Sequence, residues 1–325
     1  MSRWLISASI AILSWPVRPV TAQSASLYLP ISGFVYSQAS RTIRPLLGVP
    51  GATQIGMPVV KQVDFASVGP SGAWALLTRA GRSFYVSGLA DLTPKESSAG
   101  GLIDAVDQVV WNRGGSFALL YSSSGNQLQR VQFSSTGATP DPPLDLSPWG
   151  PVTALAIDPA GLQIAFGVPQ SGLYWFTAGQ SPALLSPIAQ PAAIAFDGTG
   201  KHLYAVDLAQ QQILQFDSAS NASTFVSLAQ SDAPAVTPVG LGVSGDGRYL
   251  FLADSAAQAV RVYGTNTATV AVTIPLDFPP TRFEVLSSGP TILLNGDNPQ
   301  EWLLVLDARQ LPGLFFVPAR REEAQ

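Results

Sequence analysis

From Ser244 to Val262 the chain reads SGDGRYLFLADSAAQAVRV, and from Asp197 to Phe216 it reads DGTGKHLYAVDLAQQQILQF. Both stretches run from a polar turn that closes on glycine, through a short apolar run, to a small polar turn and a second apolar run. The same grammar recurs in VDFASVGPSGAWALL from Val63, VDQVVWNRGGSFALL from Val106, VTALAIDPAGLQIAF from Val152, AAIAFDGTGKHLYAV from Ala192 and VGLGVSGDGRYLFLA from Val239. A worn copy, FEVLSSGPTILL, starts at Phe283. In the first five the turn closes on Gly72, Gly115, Gly161, Gly200 and Gly247, at steps of 43, 46, 39 and 47 residues. A period of that size marks a repeated supersecondary unit.

The apolar runs are too short for a helix of about 11 residues and are rich in Val, Ile, Leu, Phe and Tyr, so they read as strands. The turn glycines supply the positive φ that a tight connection needs. A third strand follows each hairpin (RSFYVSG, NQLQRVQF, GLYWFTA, QQILQFD, QAVRVYG, EWLLVLD), and a looser fourth follows that, as in STFVSLA and ATVAVTI. Four antiparallel strands in about 40 to 45 residues make one propeller blade. The expected fold is therefore all-β: a single β-propeller, most simply of seven blades, with six as the alternative. The N-terminal strands in LYLPISGFVYSQASRTIRPLLGVP, from Leu27 to Pro50, would complete the seventh blade with help from the C-terminal segment.

GDGRYLFLADSAAQAVRVYG and TGKHLYAVDLAQQQILQFD resemble the blade signature of the YVTN-type and NHL-type (WD-like) propellers: Asp-Gly, an aromatic-aliphatic strand, a small polar turn and a Val-rich strand. The resemblance implies blade architecture. In such propellers function lies in loops that vary between members, so it leaves activity open.

The ends of the chain carry a different message. Arg3, the apolar WLISASIAILSW and the small residues before Gln23 form a secretory pattern, so residues 1–22 are expected to be a cleaved signal peptide. The propeller would occupy 23–319 and a polar tail 320–325. The apolar run falls short of the ~20 residues that span a bilayer, so no integral span is expected after cleavage. This predicts a secreted or periplasmic monomer. The chain has no cysteine, which excludes disulfides, thiolate metal sites and cysteine nucleophiles. Without Arg3 and Arg18 the formal charge is −6, and three lysines in the whole chain offer no footprint for nucleic acid.

Several polar and aromatic residues have plain structural roles. Asp158, Asp197 and Asp246 lie in the glycine turns and read as turn formers, while Asp207 and Asp254 end equivalent strands and read as caps of the next turn. His202, the sole histidine, has no partner implied by the sequence. Trp74, Trp111, Trp149, Trp175 and Trp302 fall about one per blade and read as packing. NAS at Asn221 matches a glycosylation acceptor. More informative are polar residues on innermost strands, which converge on the central channel: Asp64, Asp107, Arg282 and Glu284. If they meet at its mouth they form a ligand site, and hard oxygen ligands there would favour Ca²⁺ or Mg²⁺. The leading expectation is an exported, non-catalytic propeller that binds or scaffolds an unidentified small molecule or protein. The alternatives are a propeller hydrolase of the lactonase or sugar-acid type with a metal at the channel mouth, and a quinone-cofactor dehydrogenase.

Overall fold

The computed structural model describes residues 30–217, 222–228, 235–286, 291–296, 303–307 and 312–318. The expected signal peptide at 1–22, the tail at 320–325, Asn221 and Trp302 lie outside them. Seven antiparallel sheets of short strands stand as blades around a central channel, and the described residues include no helix. The blades run Ile31–Lys61, Phe65–Ser97, Gln108–Asp145, Ala154–Ser186, Pro191–Ser227, Pro238–Pro275 and Glu284–Val317. The strands of blades 2 and 4 to 7 lie in chain order from the channel outward.

The repeated glycine turn joins the first and second strands of blades 2 to 6 in one geometry. The backbone N–H of Gly69, Asn112, Asp158, Asp197 and Ser244 donates to the carbonyl five residues on, and each turn glycine donates back to that same residue's carbonyl. All five glycines have φ between 67° and 73°. Here the recurring motif and the recurring hydrogen bonds are the same object.

The second strand of each blade decides the packing. In His202–Asp207 and Tyr249–Asp254 every residue after the first is buried, with no polar face. Successive side chains of a strand point to opposite faces. Accordingly Leu250 and Leu252 pack toward blade 5 with Tyr204 and Val206, whereas Phe251 and Ala253 pack toward blade 7 with Ile292 and Leu294. A continuous apolar run is thus the signature of a strand covered on both sides by neighbouring blades.

Ring closure differs from the expectation that chain ends share a blade. Blade 1 is built from Ile31–Ser37, Thr42–Val49, Ala52–Ile55 and Val60–Lys61, the last two pairing along the same edge of Thr42–Val49. Blade 7 supplies its own strands, and among the described residues no strand crosses between the two. Side chains join them instead: Val35 and Leu46 pack on Leu286, Leu293, Val305 and Val317. Arg282 Nη1 adds a hydrogen bond to the Tyr36 carbonyl at 3.1 Å. Two of the tryptophans sit between blades, Trp74 5.4 Å from Phe133 of blade 3 and Trp175 5.3 Å from Phe196 of blade 5, ring centre to ring centre.

Two turn glycines separate conformational strain from crowding. A Cβ on Gly247 would meet nothing, so Gly247→Ala should cost about 1 kcal/mol, from its φ of +73° alone. A Cβ on Gly161 would stand 2.3 Å from the Phe117 ring of blade 3, so Gly161→Ala should be clearly more damaging. Urea midpoints of the two variants check this; equal losses would contradict the interblade contact.

Candidate functional site: the central channel

The innermost strands can be aligned on the shared turn. On that register Asp64, Asp107 and Thr153 stand level at the strand entrances, each donating its N–H to a second-strand carbonyl. Glu284 lies three residues further along its strand than Thr281, which holds that level in blade 7, or about 10 Å deeper. The acids expected to meet therefore occupy two depths.

Their carboxylates are also committed differently. Asp64 accepts the N–H of Ala80 at 2.7 Å, in the turn between the second and third strands of its own blade, and pairs with Arg41 of blade 1. Asp107 accepts the N–H and hydroxyl of Ser123 in the corresponding turn of blade 3. Both stand at strand entrances and cap these turns, and neither lines the channel cavity. Glu284 does line it, with Arg282 Nη1 3.5 Å from its Oε2. Among the described residues no three His, Asp or Glu side chains stand close enough to hold a metal ion, so the three-acid Ca²⁺ site is not formed. The physical reason is local: a short acid at a strand entrance reaches backbone donors in its own blade before it reaches a neighbour across the ring.

The other aspartates follow the turn reading. Asp158 Oδ1 accepts the N–H of Gln163 at 2.9 Å, and Asp207 and Asp254 accept those of Ala209 and Ala256 at 3.0 and 3.1 Å. Asp254 is fully buried, its Oδ2 3.0 Å from Arg261 Nη2, an ionic contact outside hydrogen-bonding alignment. His202 is not alone: Nδ1 lies 2.9 Å from Asp197 Oδ2 and Nε2 3.3 Å from Asp217 Oδ1. Burial works to raise the Asp197 carboxyl, but hydrogen bonds from His202 and Thr199 outweigh it and hold the group below the usual carboxylate range.

The cavity itself is about 380 Å³ and runs along the channel. Ser67, Gln108 and Glu284 supply its polar side from blades 2, 3 and 7. At the end marked by the glycine turns, Arg113 of blade 3 reaches across to blade 6 and donates from Nη1 to the Gly245 carbonyl at 2.7 Å. Arg113 is not among the residues expected at the channel mouth. Its signal lies in the repeat alignment, where the residue after the turn-opening position is Pro70, Arg113, Pro159, Gly198 and Gly245. One blade places a long cation where its neighbours place proline or glycine.

Comparison with known proteins agrees with this architecture. A family model described as Lactonase, 7-bladed beta-propeller matches residues 179–273, less than a third of the chain. No curated protein matches. Among solved structures, a protein from Lactobacillus plantarum is similar with TM-score 0.64 at 11% identity, over 89% of this chain and 96% of that one. A protein of unknown function from Desulfotomaculum acetoxidans gives 0.60 at 14%, over 89% and 99%. A candidate 6-phosphogluconolactonase from Bacteroides fragilis gives 0.59 at 13%, over 89% and 95%. At these identities the likeness is one of fold, and that fold is the seven-bladed β-propeller.

One titration follows from the turns. A hydrogen bond from Ser244, aided by the N–H and guanidinium of Arg248, outweighs the opposing effect of burial and holds the Asp246 carboxyl down at about 2. A group with a depressed folded-state pKa stabilises above its unfolded value of 3.8 and loses that contribution as pH falls through about 2. Asp246→Asn should therefore show a smaller fall in melting temperature across that acid window than the parent protein. Superimposable profiles would contradict the assignment.

Proposed function

We propose that this protein is a hydrolase of cyclic esters that works in the central channel. The observation that carries the reading is the match of residues 179–273, which cover blade 5 and all of blade 6 but the end of its last strand, to a lactonase propeller model. The presence of candidate 6-phosphogluconolactonases from two Bacteroides species among the structural neighbours supports it. In lactone hydrolysis water adds to the carbonyl carbon, the ring C–O bond breaks, and the water proton ends on the released alkoxide. Glu284 is assigned to accept that proton: it is the expected acid that faces the cavity, and Arg282 orients it. No metal is required by this scheme, and none of its steps uses Asp64 or Asp107.

A binding role without turnover is the second reading, favoured by the use of Asp64 and Asp107 as turn caps. In either case the sequence supports a monomer exported by its N-terminal leader. The test is a pH-stat assay on γ- and δ-lactones with the parent protein and Glu284→Gln. The hydrolase reading expects turnover above the spontaneous rate and a loss of about a hundredfold in the variant, the usual worth of a general base. Absence of turnover on any lactone overturns it.

A further inference from the structure

The cavity is lined unequally. Between Thr153 at one end and Asp197 and Ser244 at the other, blades 4, 5 and 6 present only apolar side chains and glycine to it. At matching depths stand Ala154 and Ala156, Ala193 and Ala195, and Gly240 and Gly242, the two glycines covered by the apolar ring of Phe283 from blade 7. Polar side chains come from the opposite wall, as Ser67, Gln108 and Glu284. A polyhydroxylated body laid on the apolar wall would give up water at each hydroxyl and find no partner there, whereas an aliphatic one would gain by its burial.

The end of the channel adds a charge. Gly198 and Gly245 do not have the positive φ that by itself demands glycine. Their lack of a side chain has another use: a Cβ on Gly245 would stand 2.2 Å from Arg113 Nη2, and one on Gly198 3.0 Å from Nη1. Two blades have thus made room for one guanidinium at the cavity's end. Arg113 is exposed and, among the described residues, pairs with no carboxylate, so its remaining N–H groups face water. The acids that share the cavity are committed elsewhere: Asp197 to Thr199, Lys201 and His202, and Glu284 to Arg282.

We propose that the channel binds a small amphipathic carboxylate, its aliphatic or alicyclic body on the wall of blades 4 to 6 and its carboxylate on Arg113. A planar guanidinium suits a carboxylate through paired N–H donors. Combined with the hydrolase reading, on which only this step rests, the substrate is an alkyl-substituted lactone and Arg113 receives the carboxylate of its hydroxy-acid product.

Calorimetry with octanoate, 1-octanol and gluconate tests the binding claim, using the parent protein, Arg113→Gln and Ala195→Phe. The parent should bind octanoate at least about tenfold more tightly than gluconate, and Arg113→Gln should reduce octanoate to the level of octanol, a loss of about tenfold for one charged hydrogen-bonding partner. Ala195→Phe should abolish binding of both octyl compounds. Arg113 is at the surface, so that variant should keep the parent melting temperature even if Ala195→Phe does not fold. Preference for gluconate, no binding of octanoate, or octanoate affinity unchanged in Arg113→Gln would each overturn the proposal. Parallel assays on γ-octalactone and gluconolactone keep the two readings apart. Octanoate binding without hydrolysis of either leaves this inference standing and removes the hydrolase reading; preferred hydrolysis of gluconolactone does the reverse.

Discussion

Everything in this molecule depends on second strands that are apolar on both faces. Leu250, Phe251, Leu252 and Ala253 have essentially no exposure, and alternate residues serve different neighbours. Such a strand cannot end a stack, because its outer face would be left in water, so the array must continue until it meets itself. The last contact, between blades 7 and 1, is made by Leu286, Leu293 and Val317 against Val35 and Leu46, with Arg282 bonded to the Tyr36 carbonyl. The same demand for close blade contact places large side chains against inner-strand glycines. Phe283 fills the notch at Gly240 and Gly242, where a Cβ would come within 2.3 and 2.8 Å of it, and Trp111 lies against Gly69.

This ring also determines where chemistry can occur. The outer strands are exposed, Thr269–Pro275 almost along its whole length, and the spaces between blades are filled. The channel is the place where blades 2 to 7 approach without filling the volume, and its contents vary because the repeat does not constrain them. Blades 4 to 6 keep alanine and glycine there, while blades 2, 3 and 7 place a serine, a glutamine and a glutamate. Arg113 crosses one end because the residues opposite it are glycines. A symmetric scaffold thereby carries an asymmetric cavity.

The repeat made most of this fold legible. Glycine spacing located five of the seven first hairpins, and the length of the apolar runs identified strands, because turn geometry and two-sided burial are local requirements that each copy must meet separately. The chain ends were less legible: blade 1 lacks the glycine hairpin, and its self-contained pairing depends on contacts far apart in sequence. The site was legible only in part. Asp64 and Asp107 do recur at one place on innermost strands, but side-chain reach decides what they touch, and the turns beside them offer nearer donors. Glu284 faces the cavity as expected, at a different depth. His202 takes its partners from Asp197, five residues back, and Asp217, directly opposite it on the next strand, a pairing visible only once register is known. Arg113 stood in plain view as the exception in an aligned column of prolines and glycines.

A ligand bound as proposed lies in the channel with its apolar part on blades 4 to 6 and its charge at Arg113. The most direct measurement is a crystal of the protein soaked with an octanoate that carries bromine at its far end, read by anomalous scattering. One bromine peak is expected inside the ring beside Ala156 and Ala195, with carboxylate density on the Arg113 guanidinium. Bromine found only on the outer strands, or a carboxylate resting on the alanine wall, would contradict this placement.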